Sequence, residues 1–564
     1  MKIKLDLLCK FKTEKITPFH YSIGRTPLAV KPFLVCNFSD DVSKFVRLEF
    51  SKINYNSTER LDGVVYINND IQRKVERLSL QAEFSPDSQH IAYPTASAFA
   101  TSKEGNQSVL LPKFSYSMIF DDQIFENFSG ILHNAVFDEN SNDWAFSAQT
   151  SMMDVAISAF LPGFQSNNIA SDLKQFVIFN GVKQKEYLKI IGYPKFSKKG
   201  SAMGYTAATG KINKIIDGSI GMDPSSAQKM HELMYKDAKM VAVINNTEGE
   251  VFDDIYGDIA FNADGSQYAY AARNGNDFFI ILNGEKLERY DQVSMPTFLS
   301  NNKLAHYAYN KKRSKHFVVI DGEAQKEYDA FGARGIITNE DGNYAYTAKL
   351  NNKWTVVFNG NEMGFHSNIQ KNSPVLSEEG NTVAFGFYDD FKFKMQVNDR
   401  IDNIEFKQIS KPWLNNDGSR YAYTGIIGEQ HYIVIDGVKF GPFHDALPRF
   451  YFSPDNKNVA YFIEQPTKPQ SSKFPITVKY CLMINDKEID YFSLVSDINP
   501  KTFQWINNQE FRFGGIRITE DNVFVFKAIA SIEGEVKQKK ICSKCNTSFD
   551  DDALKFCKKC GQTL

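Results

Sequence analysis

The chain has 564 residues, and its 65 Lys and Arg nearly balance its 67 Asp and Glu, giving a formal charge of −2. This balance excludes a general electrostatic attraction to nucleic acid or to an anionic membrane surface. Aromatic residues make up 14% of the chain, and Phe and Tyr far outnumber Trp, a composition that suits β-strands packed face to face.

The N-terminal segment, Lys2 to Phe11, alternates apolar with charged residues and predicts a strand with one buried face. It lacks the apolar core of a signal peptide, and no later run approaches the roughly 18 apolar residues needed to cross a bilayer. Of the seven cysteines, four lie in one cluster, a pattern typical of a reducing compartment with a metal site. We therefore expect a cytoplasmic protein with no membrane partner.

Units of strand and turn follow, beginning with Val64 to Asp70. Alternating runs centre on Ala92, Ala145 and Gly204, and the next one centres on Ala269, with a spacing that widens at each step. These units predict the same element as the regular repeats described next, lengthened by insertions.

Between Phe261 and Phe462 one sequence pattern occurs six times. Each copy has an apolar anchor, a polar turn, an alternating run such as Tyr344-Ala345-Tyr346, a second apolar run and a turn pair such as Asn283-Gly284. The central residues of the alternating runs are Ala269, Ala308, Ala345, Ala384, Ala422 and Ala460. Their nearly fixed period of about 38 residues, filled with short strands, indicates a repeat architecture.

Each copy predicts four strands. Alternation suits a strand with two different faces, and Asn-Gly or Asp-Gly between apolar runs favours a two-residue hairpin whose turn positions both need positive φ. Four short strands in about 38 residues make one blade of a β-propeller. Phe503 to Ile506, Phe511 to Phe513 and Val523 to Phe526 predict a last blade, and we expect Lys2 to Phe11 to enter it and close the ring.

Two segments carry a family resemblance. Phe84-Ser85-Pro86-Asp87 and Phe452-Ser453-Pro454-Asp455, each followed by an alternating run, resemble the Pro-Asp class of WD-repeat-like propeller blades. No Gly-His or Trp-Asp pair recurs at blade spacing, as it would in true WD repeats. The resemblance implies an all-β propeller. The spacing of the units predicts nine to eleven blade-like repeats over residues 1–535, either as one large ring or as two rings divided near 220–260.

The C-terminus carries the one motif with defined chemistry. Cys542, Cys545, Cys557 and Cys560 form a Cys-x2-Cys-x11-Cys-x2-Cys pattern, and two such pairs supply four thiolates to one tetrahedral Zn²⁺. The segment 541–564 resembles a short zinc ribbon, joined to the propeller by a linker at 536–540. Four thiolates leave no open coordination position, so we expect one structural zinc ion per chain and no catalytic role.

No Gly-x-Ser-x-Gly elbow and no phosphate-binding Gly-x4-Gly-Lys-Ser/Thr motif occurs, so the sequence predicts a protein that is not an enzyme. The leading interpretation is an interaction scaffold whose propeller binds a protein or peptide, with the ribbon as a structural or adaptor module. A second is an enzyme or small-ligand binder using the propeller channel. A third is a nucleic-acid adaptor acting through the lysines of the ribbon, an interpretation opposed by Asp550, Asp551 and Asp552.

Overall fold

The computed structural model shows an all-β protein. The residues it describes are 2–12, 37–50, 63–75, 77–78, 82–99, 113–140, 142–150, 174–200, 202–210, 237–467, 478–495, 500–519, 521–532, 540–541 and 548–549. The only helical element in these ranges is a 3-10 turn, Pro500–Thr502, and no helix there has the length and apolar character to cross a membrane.

Within these ranges the strands form eleven antiparallel blades, each with four strands in order from the ring axis outward. The innermost strand is split into two short pieces in several blades.

Blades 1 to 4 contain, from the inside outward, Asn37–Phe38, Phe45–Phe50, Gly63–Ile67 and Asp70–Val75; Arg77–Leu78 with Glu83–Phe84, Ile91–Phe99, Lys113–Phe120 and Gln123–Phe128; Gly130–Ile131 with Val136–Phe137, Trp144–Gln149, Gln175–Phe179 and Val182–Lys183; and Lys189–Phe196, Met203–Thr209, Lys239–Ile244 and Thr247–Phe252.

Blades 5 to 8 contain Asp254–Phe261, Tyr268–Asn274, Asp277–Leu282 and Glu285–Tyr290; Gln292–Val293 with Thr297–Phe298, Leu304–Asn310, Lys315–Ile320 and Glu323–Tyr328; Ala330–Phe331 with Ile337–Thr338, Tyr344–Leu350, Lys353–Phe358 and Asn361–Glu362; and Asn368–Ile369 with Val375–Leu376, Val383–Asp389, Lys392–Val397 and Arg400–Ile401.

Blades 9 to 11 contain Gln408–Ile409 with Trp413–Leu414, Tyr421–Ile427, Gln430–Ile435 and Val438–Phe443; Asp445–Phe452, Val459–Pro466, Val478–Ile484 and Lys487–Phe492; and Leu494–Val495 with Gln504–Trp505, Glu510–Ile518, Asn522–Ser531 and Lys2–Lys12. A separate pair, Lys540–Ile541 with Ser548–Phe549, lies in the C-terminal segment.

The eleven blades form one ring. Eleven clusters of buried apolar side chains occur among the described residues, and each joins two consecutive blades. Phe252 of blade 4 packs in one cluster with Tyr270 of blade 5, so the chain does not divide into two rings near residues 220–260. Phe38 of blade 1 shares a cluster with Val525 of blade 11, which closes the circle.

The N-terminal strand closes the last blade, as the sequence predicted. Lys2–Lys12 pairs antiparallel with Asn522–Ser531 and forms the outermost strand of blade 11. The register aligns Phe11 with Val523 and Leu7 with Phe526. Blade 11 is thus assembled from an N-terminal strand and three strands of the segment 494–531, and this pairing closes the ring.

The alternating runs have one large face and one small face. In blade 7, Tyr346 packs in the cluster shared with blade 6, and Ala345 lies in the cluster shared with blade 8. Tyr423 and Ala422 of blade 9 divide in the same way. The aromatic face of each blade therefore fits against the shallow alanine face of the blade before it, which is why the sequence alternates large and small residues.

The predicted centre of the alternating run in blade 6, Ala308, is wrong by three residues. Ala305 pairs with Thr297 of the innermost strand, as Ala345 pairs with Ile337 in blade 7. The true equivalent of Tyr344-Ala345-Tyr346 is therefore 304–306, which places His306 at the aromatic position. The same pattern, Tyr-Ala-Tyr, also occurs at 307–309, which is why the sequence predicted the run there.

The predicted hairpin turns are confirmed. Asn283 and Gly284 have φ values of 49° and 87°, and the equivalent pairs in blades 6, 7 and 9 have similar values. The side-chain oxygen of Asn283 also accepts a hydrogen bond from the backbone N–H of Tyr268, at 2.9 Å. The same bond recurs in nine of the described blades, so the first turn position stays Asn or Asp even where the glycine is lost.

The strand order gives the ring two different faces. One, the turn face, carries the connections between the first and second and between the third and fourth strands. The other, the loop face, carries the connections between the second and third strands and between blades. The long second-to-third connections belong to blades 1, 2, 3, 4 and 10, so the topology attaches all of them to the loop face.

Candidate functional site: the inner wall of the ring

The innermost strands carry a row of bulges. In blade 9, three residues of the innermost strand lie between the pairs Ile409–Gly425 and Trp413–Ala422, where the partner strand has only two. The bulges of blades 7 to 10 are 332–336, 370–374, 410–412 and 447–449. Because this strand borders the ring axis, its extra residues are placed on the inner wall.

Side chains of one blade hold the backbone of the next along this wall. Arg334 donates hydrogen bonds to the carbonyl oxygens of Asn372 and Pro374. Gln370 Nε2 donates to the carbonyl oxygen of Ile409 at 2.6 Å.

The same arrangement continues around the ring. Trp413 Nε1 donates to the carbonyl oxygen of Pro448 in blade 10 at 2.7 Å, and Trp505 Nε1 of blade 11 donates in the opposite direction, to that of Tyr451 in blade 10, at 2.8 Å. The wall from blade 7 to blade 11 is therefore held by blade-to-blade bonds in addition to the apolar clusters, which fixes the positions of the side chains on it.

Four consecutive bulges each carry a cation. They hold Arg334, Lys371, Lys411 and Arg449, and none of these four bulges contains an aspartate or a glutamate. We call these four residues the cationic arc. Arg334, Lys371 and Lys411 are exposed, and in the described part of the chain none of these three forms an ion pair with a carboxylate. The arc is therefore a region of positive charge inside a protein that is nearly neutral overall.

Lys411 is the centre of this arc. Its Nζ lies 4.5 Å from the ring centroid of Trp413, so the indole supports the ammonium group from one side. Loss of hydration in the wall, followed by the positive charges of Arg334 and Arg449, lowers the pKa of Lys411. Arg334 and Arg449 therefore both add to the positive electrostatic potential at Lys411.

Two lysines of other blades pair with carboxylates. Lys195 of blade 4 lies 3.7 Å from a carboxylate oxygen of Asp258 in blade 5. Lys501 of blade 11 lies 3.5 Å from Asp40 of blade 1. Exposed uncharged side chains stand beside these pairs, including Tyr193 in blade 4, which is 58% exposed, and Met295 in blade 6, which is 48% exposed.

The turn face is crossed by an ion pair. Lys198 in the first turn of blade 4 lies 3.0 Å from Glu340 in the first turn of blade 7. The hydrogen bond to Glu340 raises the pKa of Lys198. Because these turns are three blades apart, the pair shows that the first turns of blades 4 to 7 crowd together at this face.

Among the described residues, several histidines pair with a single partner. His133 Nδ1 lies 2.7 Å from the hydroxyl oxygen of Ser147, but Ser147 has no exposed surface, so its hydroxyl cannot reach a substrate. His366 Nδ1 lies 2.7 Å from Asp389, and the imidazole is buried against Phe387. In the described ranges no group of three or more His, Cys, Asp or Glu side chains comes together to hold a metal ion.

A pocket of about 300 Å³ lies between blades 3 and 4, away from the bulges. Tyr187, Tyr205 and Glu248 contribute to its lining, and Lys185 pairs with Glu248 at 2.8 Å. Burial raises the pKa of Tyr205 to about 12, so this hydroxyl stays protonated at neutral pH. The pocket offers hydrogen-bonding groups without an arrangement of nucleophile and base.

The predicted zinc ligands Cys542, Cys545, Cys557 and Cys560 lie outside the described residues. The structure describes only the short pair around the first two, in which Lys540 aligns with Phe549 and Ile541 with Ser548. The zinc ribbon, its single Zn²⁺ and the linker at 536–540 therefore stay predictions.

The cationic arc was not found from the sequence, although a signal exists. Arg334, Lys371, Lys411 and Arg449 each precede the second strand of their blade by a nearly constant stretch of sequence. A search for charges recurring at the repeat period would have revealed them.

No family model and no curated protein matches the chain. Solved structures that match include a eukaryotic initiation factor, at 12% identity and a TM-score of 0.30, covering 49% of this chain and 76% of that one. The β-propeller domain of the Trilobed protease from Pyrococcus furiosus matches at 14% identity and a TM-score of 0.22, covering 48% and 93%. The Dos1 propeller matches at 11% identity and a TM-score of 0.22, covering 48% and 90%.

Proposed function

We propose that the protein is a non-catalytic interaction scaffold that binds a protein or peptide partner on the inner wall of the ring. The observation that carries this proposal is the row of bulges. They present exposed side chains on a backbone held by blade-to-blade hydrogen bonds, so the surface is ordered before a partner arrives. A preordered surface loses little conformational entropy on binding. The zinc ribbon predicted at 541–564 is a second contact module in this proposal.

The wall supports a binding role better than a catalytic one. An acyl-transfer site needs an accessible nucleophile beside a base. Among the described residues, His133 and Ser147 share a hydrogen bond, but the hydroxyl group of Ser147 is buried and cannot reach a substrate. Tyr193 and Met295 are instead exposed amphipathic and apolar groups, the kind that anchors a partner at an interface.

Capture of partners by the purified chain tests this function. The comparison uses the full chain, residues 1–535, a wall variant carrying Tyr193→Ser and Met295→Ser, and a control carrying Val438→Ser and Tyr491→Ser. The control residues are 57% and 47% exposed but lie on outermost strands, so they match the wall residues in exposure and differ in place.

We expect a partner that is retained by the full chain and the control and lost by the wall variant. Retention by residues 1–535 assigns the contact to the ring, whereas loss assigns it to the ribbon. A partner captured equally by the wall variant and the control would contradict a role for the inner wall. Turnover of a small molecule by the purified chain would favour the enzyme interpretation, and capture of nucleic acid that depends on residues 536–564 would favour the adaptor interpretation.

A further inference from the structure

We propose that the cationic arc selects an extended acidic peptide segment, with carboxylates spaced to meet Arg334, Lys371, Lys411 and Arg449 one after another. This inference rests on the proposed function, because it names the chemistry of the partner bound at the inner wall. It adds a charge requirement that a general interaction surface does not have.

The first step of the argument is the geometry of the arc. Its four members occupy the same structural place, the bulge of the innermost strand, in four consecutive blades. Innermost strands of consecutive blades approach within 8 Å, as Val375–Leu376 does to Trp413–Leu414, so their bulges lie roughly 8 to 10 Å apart around the wall. An extended chain advances roughly 3.3 to 3.6 Å per residue, so about three residues bridge one blade to the next.

The second step is the charge. Like charges on neighbouring blades raise one another's electrostatic energy, and a ligand of opposite charge lowers it. Arg334, Lys371 and Lys411 form no ion pair with a carboxylate in the part of the chain that the structure describes, whereas Lys195 and Lys501 on other blades do. Lys195 and Lys501 thus have carboxylate partners that Arg334, Lys371 and Lys411 lack among the described residues.

The third step is the fit of the cations to carboxylates. The carbonyl oxygens of Asn372 and Pro374 hold one edge of the Arg334 guanidinium, which fixes its orientation. A guanidinium held in this way keeps further N–H groups for a carboxylate. The half-buried ring of Trp413 beside Lys411 adds an apolar surface for the peptide chain between its acidic residues.

The spread of the arc favours a peptide over a compact anion. A single phosphate or short oligophosphate meets a cluster at one point, but four cations distributed over four blades require a ligand with charges distributed along a chain. A nucleic acid would carry a charge at every nucleotide, and Asp258 on the innermost strand of blade 5 opposes such a dense polyanion.

Fluorescence anisotropy with the full-length protein tests the inference. The probe is a fluorescein-labelled 13-residue peptide of Gly and Ser with Glu at every third position, four in total. A second peptide has the same composition with its four Glu adjacent. Variants Lys371→Gln and Lys411→Gln remove charge without removing a wall hydrogen bond, and Lys439→Gln removes an exposed charge from the outermost strand of the same blade as Lys411.

We expect the spaced peptide to bind more tightly than the adjacent one, and each arc substitution to weaken its binding by about 2- to 5-fold, the range of a solvent-accessible ion pair. Combining Lys371→Gln with Lys411→Gln and Arg449→Gln should weaken binding by more than 10-fold, and Lys439→Gln should leave it unchanged. Melting curves of each variant separate loss of charge from loss of folding, and Lys371→Gln alone keeps the test decisive if the Arg449 variant is unstable.

Equal binding by the arc variants and Lys439→Gln would overturn the inference, as would stronger competition by tripolyphosphate or a single-stranded oligonucleotide than by unlabelled spaced peptide. These outcomes leave the proposed function standing if partner capture still depends on Tyr193 and Met295. If the spaced peptide does not bind and the wall variant still captures the partner, the proposed scaffold function is contradicted as well.

Discussion

Arg512 of blade 11 donates a hydrogen bond to the carbonyl oxygen of Asp40 in blade 1, at 3.3 Å, across 472 residues of sequence. This bond crosses the seam where the ring closes, beside the apolar cluster that holds Phe38 and Val525. Arg47 of blade 1 also reaches the seam, with its guanidinium 4.7 Å from the ring centroid of Phe11. Closure therefore uses charge, aromatic and apolar contacts together.

Replacement of Phe11 by alanine should destabilise the whole ring. Its side chain is buried at the seam and supports Arg47, so the loss should reach about 3 kcal/mol in the free energy of unfolding. Leu7→Ala is the matched control, because Leu7 lies on the same strand and is 53% exposed. Urea denaturation measures both, and equal effects of the two substitutions would show that the strand contributes by backbone pairing alone.

Replacement of Asn283 by alanine should destabilise blade 5. Alanine is strained at a φ of 49°, and the hydrogen bond from the N–H of Tyr268 is lost. The two effects together should lower the free energy of unfolding by about 2 kcal/mol. Asn283→Asp keeps both features, as Asp436 does in blade 9, and should cost much less in the same thermal melts. A similar cost for both would mean that the side-chain bond contributes nothing.

His306 should make the protein sensitive to mild acid. Its imidazole is 3% exposed and has no hydrogen-bond partner in the described structure, and burial lowers its pKa to about 4. The unfolded chain binds this proton near pH 6.5, so stability is full above pH 6.5 and falls as the pH drops toward 4. The whole loss is about 3 kcal/mol.

His306→Phe should remove this loss, since Phe385 and Tyr346 occupy the same place in other blades. Melting temperatures measured from pH 7.5 to 4.5 should therefore diverge between the native chain and the variant, with the variant more stable at low pH. Parallel curves would contradict the assignment. His316→Phe is a control, because this histidine is less buried and retains more contact with water.

The sequence predicts the blades well where the same local structural requirement applies to every repeat. The large and small faces of the second strand and the positive φ of the turn pair are local requirements, so they appear at a constant period. The strand Lys2–Lys12 was also predicted to enter the last blade, because its alternation shows a buried face and propellers leave no open edge.

The number of blades and the inner wall could not be predicted. Insertions between the second and third strands hide the period in blades 1 to 4, which left nine to eleven units open. The innermost strands are split into pieces as short as Gln408–Ile409 and Trp413–Leu414, too short for an alternating pattern to show. Arg334 and Lys411 recur at the repeat period, but only the strand register shows that both lie in the bulge of an innermost strand.

Metal analysis of the purified chain should find one zinc ion per molecule. Two Cys-x2-Cys pairs supply the four thiolates, and replacement of Cys545 or Cys560 by serine should remove the metal, whereas Cys481→Ser should not, because Cys481 is a free thiol buried in blade 10. Iron in place of zinc, or no stoichiometric metal, would contradict the ribbon assignment.

Deletion of residues 536–564 should leave the main thermal transition of the ring within a few degrees of its original value. The last strand of blade 11 ends at Ser531, and its outer edge is already covered by Lys2–Lys12, so the ring needs no further strand for closure. The segment 541–564 is too short for a useful core of its own and should depend on zinc to fold. Scanning calorimetry of the full chain with and without a zinc chelator should therefore match the truncated protein in the main transition. A shift of that transition on either treatment would instead show that the ribbon packs against the ring and contributes to its stability.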